Sequence, residues 1–306
     1  MYTKKWNIAL LLFVSAMLQW NCGGCGGDKS EFIEYNEDAS SFDGETTYDV
    51  QAMNEIIGSF SSPVEMAATI QNLGVPFSTK YLQDPEVVND YTTSFKKALG
   101  LGMLCADLGY LNVYSKTSQI VDYLASIRKL SEDLNVGQFF DFQTLKRLAT
   151  SNDNIDTLMI MCTQSYSDME NDLRKHQRSN LSALLVTGVW MESLYLITQV
   201  SKERPNDEHL KDVIGEQKTI LNSLLPILKL YKNNQNFEKL VQLFEELKDV
   251  FDVVKITYEV GEPETKEMNG ALVIVQNERS VITMTNEERQ EIIQTTEKIR
   301  NKLIAL

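Results

Sequence analysis

Residues 179–203, SNLSALLVTGVWMESLYLITQVSKE, are apolar around almost the whole circumference of a helix. Such a helix cannot rest on a surface by one stripe and must be surrounded. At 25 residues it is long enough to cross a bilayer. Glu192 and Gln199 interrupt it, however, and the segments on either side carry amphipathic helical patterns. The sequence therefore predicts a helical body with this segment at its centre.

Cap signals mark the other helices. Ser62-Pro63-Val64-Glu65 is a capping box with Pro at the first helical position, and Gly74 ends that helix. Asp84-Pro85-Glu86 opens what reads as one long helix towards Tyr114. Further helices are expected over 117–134, 142–149, 153–176 and 207–233, with Pro226 predicting a kink in the last. In 236–257, Phe237, Leu240, Phe244, Leu247, Phe251 and Val254 follow a heptad-like spacing suited to packing within a bundle. The period then changes. Leu272–Val275 and Val281–Met284 are β-type runs, which predict a small hairpin over 271–284 joined through 276–280. Thr285-Asn286-Glu287-Glu288 caps a final helix over 286–303. The fold class is mainly α: a multi-helix bundle or a short helical-repeat array with one small C-terminal β-hairpin.

The N-terminus reads as an address. Lys4 and Lys5 precede a largely apolar stretch from Trp6 to Trp20, short of a spanning helix, and Cys22 and Cys25 follow among glycines. This arrangement resembles a bacterial lipoprotein signal, in which cleavage occurs just before a lipidated cysteine. Gly24 before Cys25 favours Cys25; Leu18 lies nearer Cys22, so both cysteines stay open. Residues 26–53 form an acidic segment, and its first 25 residues hold eight acids and one lysine, the composition of a flexible tether. The expected organisation is a signal over 1–25, a tether over 26–53 and one helical domain over 54–306.

Charge and motifs exclude several classes. The net charge is −14, with no basic stripe, so a nucleic-acid partner is not expected. The body contains no metalloprotease, P-loop or nucleophile-elbow motif, and two histidines in the chain leave little for metal chemistry. No cofactor, metal or catalytic residue is assigned, and the balance is against an enzyme. Cys105 and Cys162, the only body cysteines, sit in apolar helical contexts that suit two buried thiols, although an exported protein could pair them.

One constellation stands out. Asp107 lies in MLCADLGYL and Glu192 in VWMESLYL, each an acid in an apolar helix, each with a tyrosine three positions on, Tyr110 and Tyr195. An acid there is costly to bury unless it is paired. The first reading of these four residues is an internal polar network; the second is a polar floor for a ligand. Ala98, Gly102 and Ala106 on one helix, and Ser182, Ala183, Thr187 and Gly188 on the other, give both a smooth surface for close approach.

The stretches PFSTKYLQDPEVVNDYTTSFKKALGLGMLCADLGYLNVY, VGQFFDFQTLKRLA and RSNLSALLVTGVWMESLYLITQVSKE, taken with the signal, resemble an uncharacterised family of helical lipoproteins from Bacteroidetes. The resemblance implies a lipid-anchored protein of the cell envelope, at the outer membrane, on its periplasmic or its surface face. It carries no catalytic residues across. The expected function is a helical binding or scaffold module, held to the membrane by its N-terminal lipid and meeting an envelope protein partner. A small-molecule or lipid-binding protein is the alternative, and an enzyme of unspecified reaction the third reading.

Overall fold

The computed structural model describes residues 74–150, 155–261, 264–268, 271–275 and 278–305, together with Ala67 and residues 70–72. The expected signal with Cys22 and Cys25, the tether, and most of the helix expected from Ser62 lie outside the described residues. Eight α-helices of eight residues or more are found among those described: α1 (Ser94–Val113), α2 (Thr117–Asp133), α3 (Phe142–Ala149), α4 (Ile155–Lys175), α5 (Ser179–Glu203), α6 (Glu208–Lys229), α7 (Gln235–Phe251) and α8 (Asn286–Ala305). Four strands, β1 (Lys255–Val260), β2 (Glu264–Met268), β3 (Ala271–Val275) and β4 (Glu278–Thr283), lie between α7 and α8. The mainly α architecture with a C-terminal antiparallel hairpin is the one the sequence predicts.

Side-chain oxygens satisfy the free N–H groups at several helix starts. Thr93 accepts from the Lys96 N–H at 3.2 Å, Asp141 from Thr144 at 3.1 Å, and Asp207 from Leu210 at 3.1 Å. Asp84 also caps as expected, accepting from the Glu86 N–H at 2.9 Å. What it opens is a short 3-10 turn, Pro85–Asp90, rather than a long helix. The chain extends at Tyr91, and α1 begins separately behind the Thr93 cap. Asn89, Asp90, Thr92 and Thr93 explain the break, since these side chains compete for backbone groups inside a helix and favour its ends.

The apolar segment that dominates the sequence is α5. Every residue from Leu181 to Ser201 is buried. Its neighbours are α1, α4, α6 and α8. It is long and apolar enough to cross a membrane, yet its apolar window is wholly enclosed by the protein. Helices α1 and α5 meet through the two smooth faces. A Cβ on Gly102 would overlap the Leu185 carbonyl oxygen and lie 2.9 Å from the Val189 nitrogen; a Cβ on Gly188 would overlap the Leu99 carbonyl oxygen and lie 3.0 Å from the Met103 nitrogen. The contact is reciprocal, and it brings backbone against backbone.

The seam on α7 is used internally. Phe237, Leu240, Phe244, Leu247 and Phe251 are buried, and α7 packs on α6 and α8. The helix expected to reach residue 257 ends at Phe251, because the β-branched run through Val253, Val254, Ile256 and Thr257 suits the strand that follows. That strand changes the hairpin. Leu272–Val275 and Val281–Thr283 do not pair with each other across 276–280. Instead β3 pairs with β2, from Glu264↔Val275 to Met268↔Ala271, and β4 pairs with β1, from Lys255↔Thr283 to Val260↔Glu278. The two β-type runs thus lie on one arm of a longer antiparallel ribbon. The base of the ribbon rests on α6. Ile282 closes over Gly215, where a Cβ would meet its side chain. Ser280 donates to Glu216 at 2.7 Å, and Lys218 donates to the Val254 carbonyl at 2.7 Å.

Candidate functional site

The buried acids come together. Asp107 on α1 and Glu192 on α5 are both 0% exposed. Their carboxyl groups adjoin, close enough for each to act on the proton affinity of the other. A third residue, Arg300, reaches them from α8. Its Nε and Nη2 donate to the two oxygens of Glu192, at 3.0 and 2.6 Å. This two-pronged geometry fits a guanidinium to a carboxylate and defines Glu192 as the ionised member. Arg300 also lies over the Tyr195 ring, 4.4 Å from its centroid, so the tyrosine face takes up charge that the carboxylate does not.

Asp107 is placed differently. One of its oxygens, Oδ2, accepts the Gln83 backbone N–H at 3.3 Å, and Oδ1 meets no N–H donor. Two adjoining carboxyl groups in a sealed core resist being ionised together, because like charges there are poorly screened. Burial, with the nearby Glu192 charge adding to it, pushes the Asp107 carboxyl well above the usual carboxylate range. Asp107, which Arg300 does not reach with a hydrogen bond, is therefore the acid that holds the proton. Burial also pushes Glu192 up, while Arg300 pulls it down. The pair shares one proton, and with Arg300 the sealed set is electrically neutral. Gln83 is fixed in turn by the Tyr123 hydroxyl, which donates to its carbonyl at 2.5 Å. Tyr91 lies near enough for the Glu192 charge to add to burial in pushing its hydroxyl up to about 12.

Of the four residues singled out from sequence, three meet here. Tyr110 does not. It stacks on Phe77 with ring centroids 5.4 Å apart, and its hydroxyl accepts the Ser78 N–H at 3.0 Å. Tyr114 helps by donating to the Val75 carbonyl at 2.6 Å. These tyrosines hold the segment from Val75 to Gln83 across α1, and that segment delivers the Gln83 N–H to Asp107. Sequence reasoning missed Arg300, Gln83 and Tyr123. Arg300 had a signal: it continues the buried stripe of Ile292, Thr296 and Leu303 on α8, an unusual place for a cation. Gln83 and Tyr123 had none, because their roles depend on where a nonhelical segment passes.

A second buried acid, Glu170 on α4, is also internally held. It accepts from Ser182 at 2.7 Å and pairs with Arg174 at 2.7 Å. Among the described residues no set of three or more His, Cys, Asp or Glu is placed to hold a metal ion. The two body thiols are unpaired, Cys105 buried and Cys162 partly so.

Fold and site define a class: an α-helical bundle built around a sealed acid pair that keeps one proton and is clamped by an arginine. No protein-family model matches the chain, and no curated protein or solved structure is significantly similar to it.

The shared proton gives a pH dependence. The folded pKa of Asp107 is raised, so the folded state holds a proton that the unfolded chain releases at about 3.9. The stability linked to it is fully present below the unfolded value and is lost as pH rises through the folded one. Asp107→Asn mimics the protonated acid, because it is neutral and its amide oxygen keeps the bond from the Gln83 N–H. In urea unfolding from pH 5 to 10, the variant is expected to lose less stability than wild type as pH rises. Parallel pH profiles for the two proteins would contradict the assignment.

Proposed function

We propose that this protein is a lipid-anchored component of a bacterial cell envelope, and that its helical body is a rigid binding or scaffold module. The observation that carries the second half is the closure of the acid site. Both oxygens of Glu192 are taken by Arg300, and neither acid reaches solvent, so the most conspicuous polar group in the chain serves to lock α8 onto α1 and α5. A ligand lying between the smooth faces of α1 and α5 would need room that their backbone contact occupies, which ranks the small-molecule reading lower. The anchor rests on the Lys4-Lys5, apolar and Cys22/Cys25 pattern, and on the resemblance to helical Bacteroidetes lipoproteins. Several acyl chains on one cysteine would hold the body at a membrane without a spanning helix.

The test is fractionation of cells expressing wild type or the Cys22→Ser/Cys25→Ser variant, followed by native mass spectrometry of the purified forms in mild detergent. Wild type is expected in the membrane fraction with a lipid mass on one of the two cysteines, and in a complex of fixed stoichiometry with an envelope protein. The variant is expected to leave the membrane. A double variant that still sediments with membranes would overturn the anchor. An empty monomer from both forms would overturn the scaffold.

A further inference from the structure

Charge is unevenly placed on the helical body, and helix packing sorts it. Cations gather in last turns, where they suit the helix dipole: Lys175 ends α4, Lys229 ends α6, and Lys302 lies in the last turn of α8. These ends meet at one end of the bundle, together with the end of α2 and the starts of α1, α5 and α7. Lys97 at the start of α1 pairs with Asp133 at the end of α2 at 3.0 Å. Arg178, just before α5, donates to the Leu134 carbonyl at 2.5 Å. The Phe237 ring at the start of α7 meets Phe95 on α1 and Tyr231 just past α6, with centroids 5.3 and 5.0 Å apart. Lys239 on α7 and Lys302 on α8 border one groove. The starts of α4, α6 and α8 lie at the opposite end, with Asp156, Glu208, Glu287 and Glu288 in their first turns. No single helix carries a basic stripe; the folded body assembles a basic end.

Several acids at this end are already taken: Asp133 by Lys97, Glu132 by Arg128, Glu170 by Arg174 and Glu245 by Lys229. Glu246 is shared by Lys298 and Lys302. Lys175, Lys232 and Lys239 are exposed and, among the described residues, pair with no acid. Exposed Lys129 bonds only the neutral Asn89, at 2.6 Å. Asp90, Asp172 and Glu238 oppose these cations in part.

We propose that this basic end is a docking surface for the anionic headgroups of a lipid bilayer. The 25 residues of α5 set the two ends about 37 Å apart. Screening at physiological ionic strength acts within about 8 Å. A charged plane therefore meets the near end alone, and the net charge of −14 does not decide the contact. An anionic bilayer repels the acidic end and draws the basic one, which fixes how the body stands on the membrane. An acidic protein would offer the same charge, but a bilayer offers it as a plane. That suits lysines spread over α2, α4, α7 and the turn after α6 rather than gathered in one pocket. The proposal rests on the membrane-anchored reading for the nearness of a bilayer. The 28 residues over 26–53 reach at most about 100 Å, so an anchor leaves either end free to face it and charge selects.

The test uses the protein purified from cells and transferred to an excess of vesicles, either phosphatidylcholine alone or phosphatidylcholine with phosphatidylglycerol. Lysines are trace-acetylated by a water-soluble reagent and mapped on peptides. On phosphatidylglycerol vesicles Lys129, Lys175, Lys232 and Lys239 are expected to react about 5-fold more slowly than on phosphatidylcholine, the scale set by one lysine near an anionic surface. Lys116 and Lys248, at the opposite end, are expected to react equally on both. The protection should vanish in 1 M salt, where screening acts within about 3 Å. In the Lys175→Glu/Lys232→Glu/Lys239→Glu variant, whose changes are all at exposed positions, Lys129 should lose its protection. Equal labelling on the two vesicles, or protection at Lys116 and Lys248 instead, would overturn the proposal. Protection by soluble polyglutamate but not by phosphatidylglycerol would assign the surface to an acidic protein and overturn it too. A wild type that does not stay with phosphatidylcholine vesicles overturns the anchor alone, because at vesicle excess the phosphatidylglycerol comparison reads the basic end with or without a lipid.

Discussion

Replacing Arg300 with methionine is expected to cost about 3–5 kcal/mol of folding stability. The change removes both hydrogen bonds to Glu192 and leaves a carboxylate that is 0% exposed beside a second acid. Glu192 must then take up a proton or draw water into the core. Glu192→Met is expected to do comparable damage from the other side, because it strands the Arg300 guanidinium. The double variant Glu192→Met/Arg300→Met should recover most of the loss, since two apolar side chains of similar volume replace a buried pair at little net cost. Urea unfolding of the four proteins gives the coupling directly. Single losses under about 1 kcal/mol, the range of a surface ion pair, would mean that the site is open to water.

The second large effect concerns the backbone contact beneath that site. Gly102→Ala and Gly188→Ala each place a Cβ inside the radius of a carbonyl oxygen on the facing helix, Leu185 and Leu99 respectively. No side-chain rotamer relieves this; the helices must separate. Each variant is expected to lose at least the roughly 1–3 kcal/mol typical of overpacking. Separation would also pull Asp107 away from Glu192. Gly102→Ala is therefore expected to flatten the alkaline loss of stability as Asp107→Asn does, while Gly74→Ala, at a position with φ +66 and open space around it, should leave the pH profile unchanged. Thermal unfolding at two pH values checks both. A Gly102→Ala protein as stable as wild type would contradict the packing.

Much of this architecture can be read from residues alone, because helices announce themselves locally. The Thr285–Glu288 capping box and the apolar patterns of α5 and α7 are short-range signals. The small-residue faces around Gly102 and Gly188 identified the central helix pair. The failures also have local causes. Asp84 caps the Pro85–Asp90 turn, but the polar residues after it do not let the helix continue. The ribbon was misread because its two most β-like runs, Leu272–Val275 and Val281–Thr283, sit on one arm, while the partner arm, Lys255–Met268, is polar and charged. The acid pair was visible as two acids in apolar helices. Its clamp was not, since Arg300 is 108 residues from Glu192 and only the packing of α8 brings them together.

The central feature of this core is one proton held on Asp107 beside the ionised Glu192. Infrared spectroscopy of the folded protein at pH 7 tests this most directly, because a protonated carboxyl absorbs apart from carboxylates. The wild type is expected to show a carboxylic-acid band at that pH that resists exchange into deuterated solvent, and Asp107→Asn is expected to lack it. A wild-type spectrum with no such band, or a band that survives unchanged in Asp107→Asn, would contradict it.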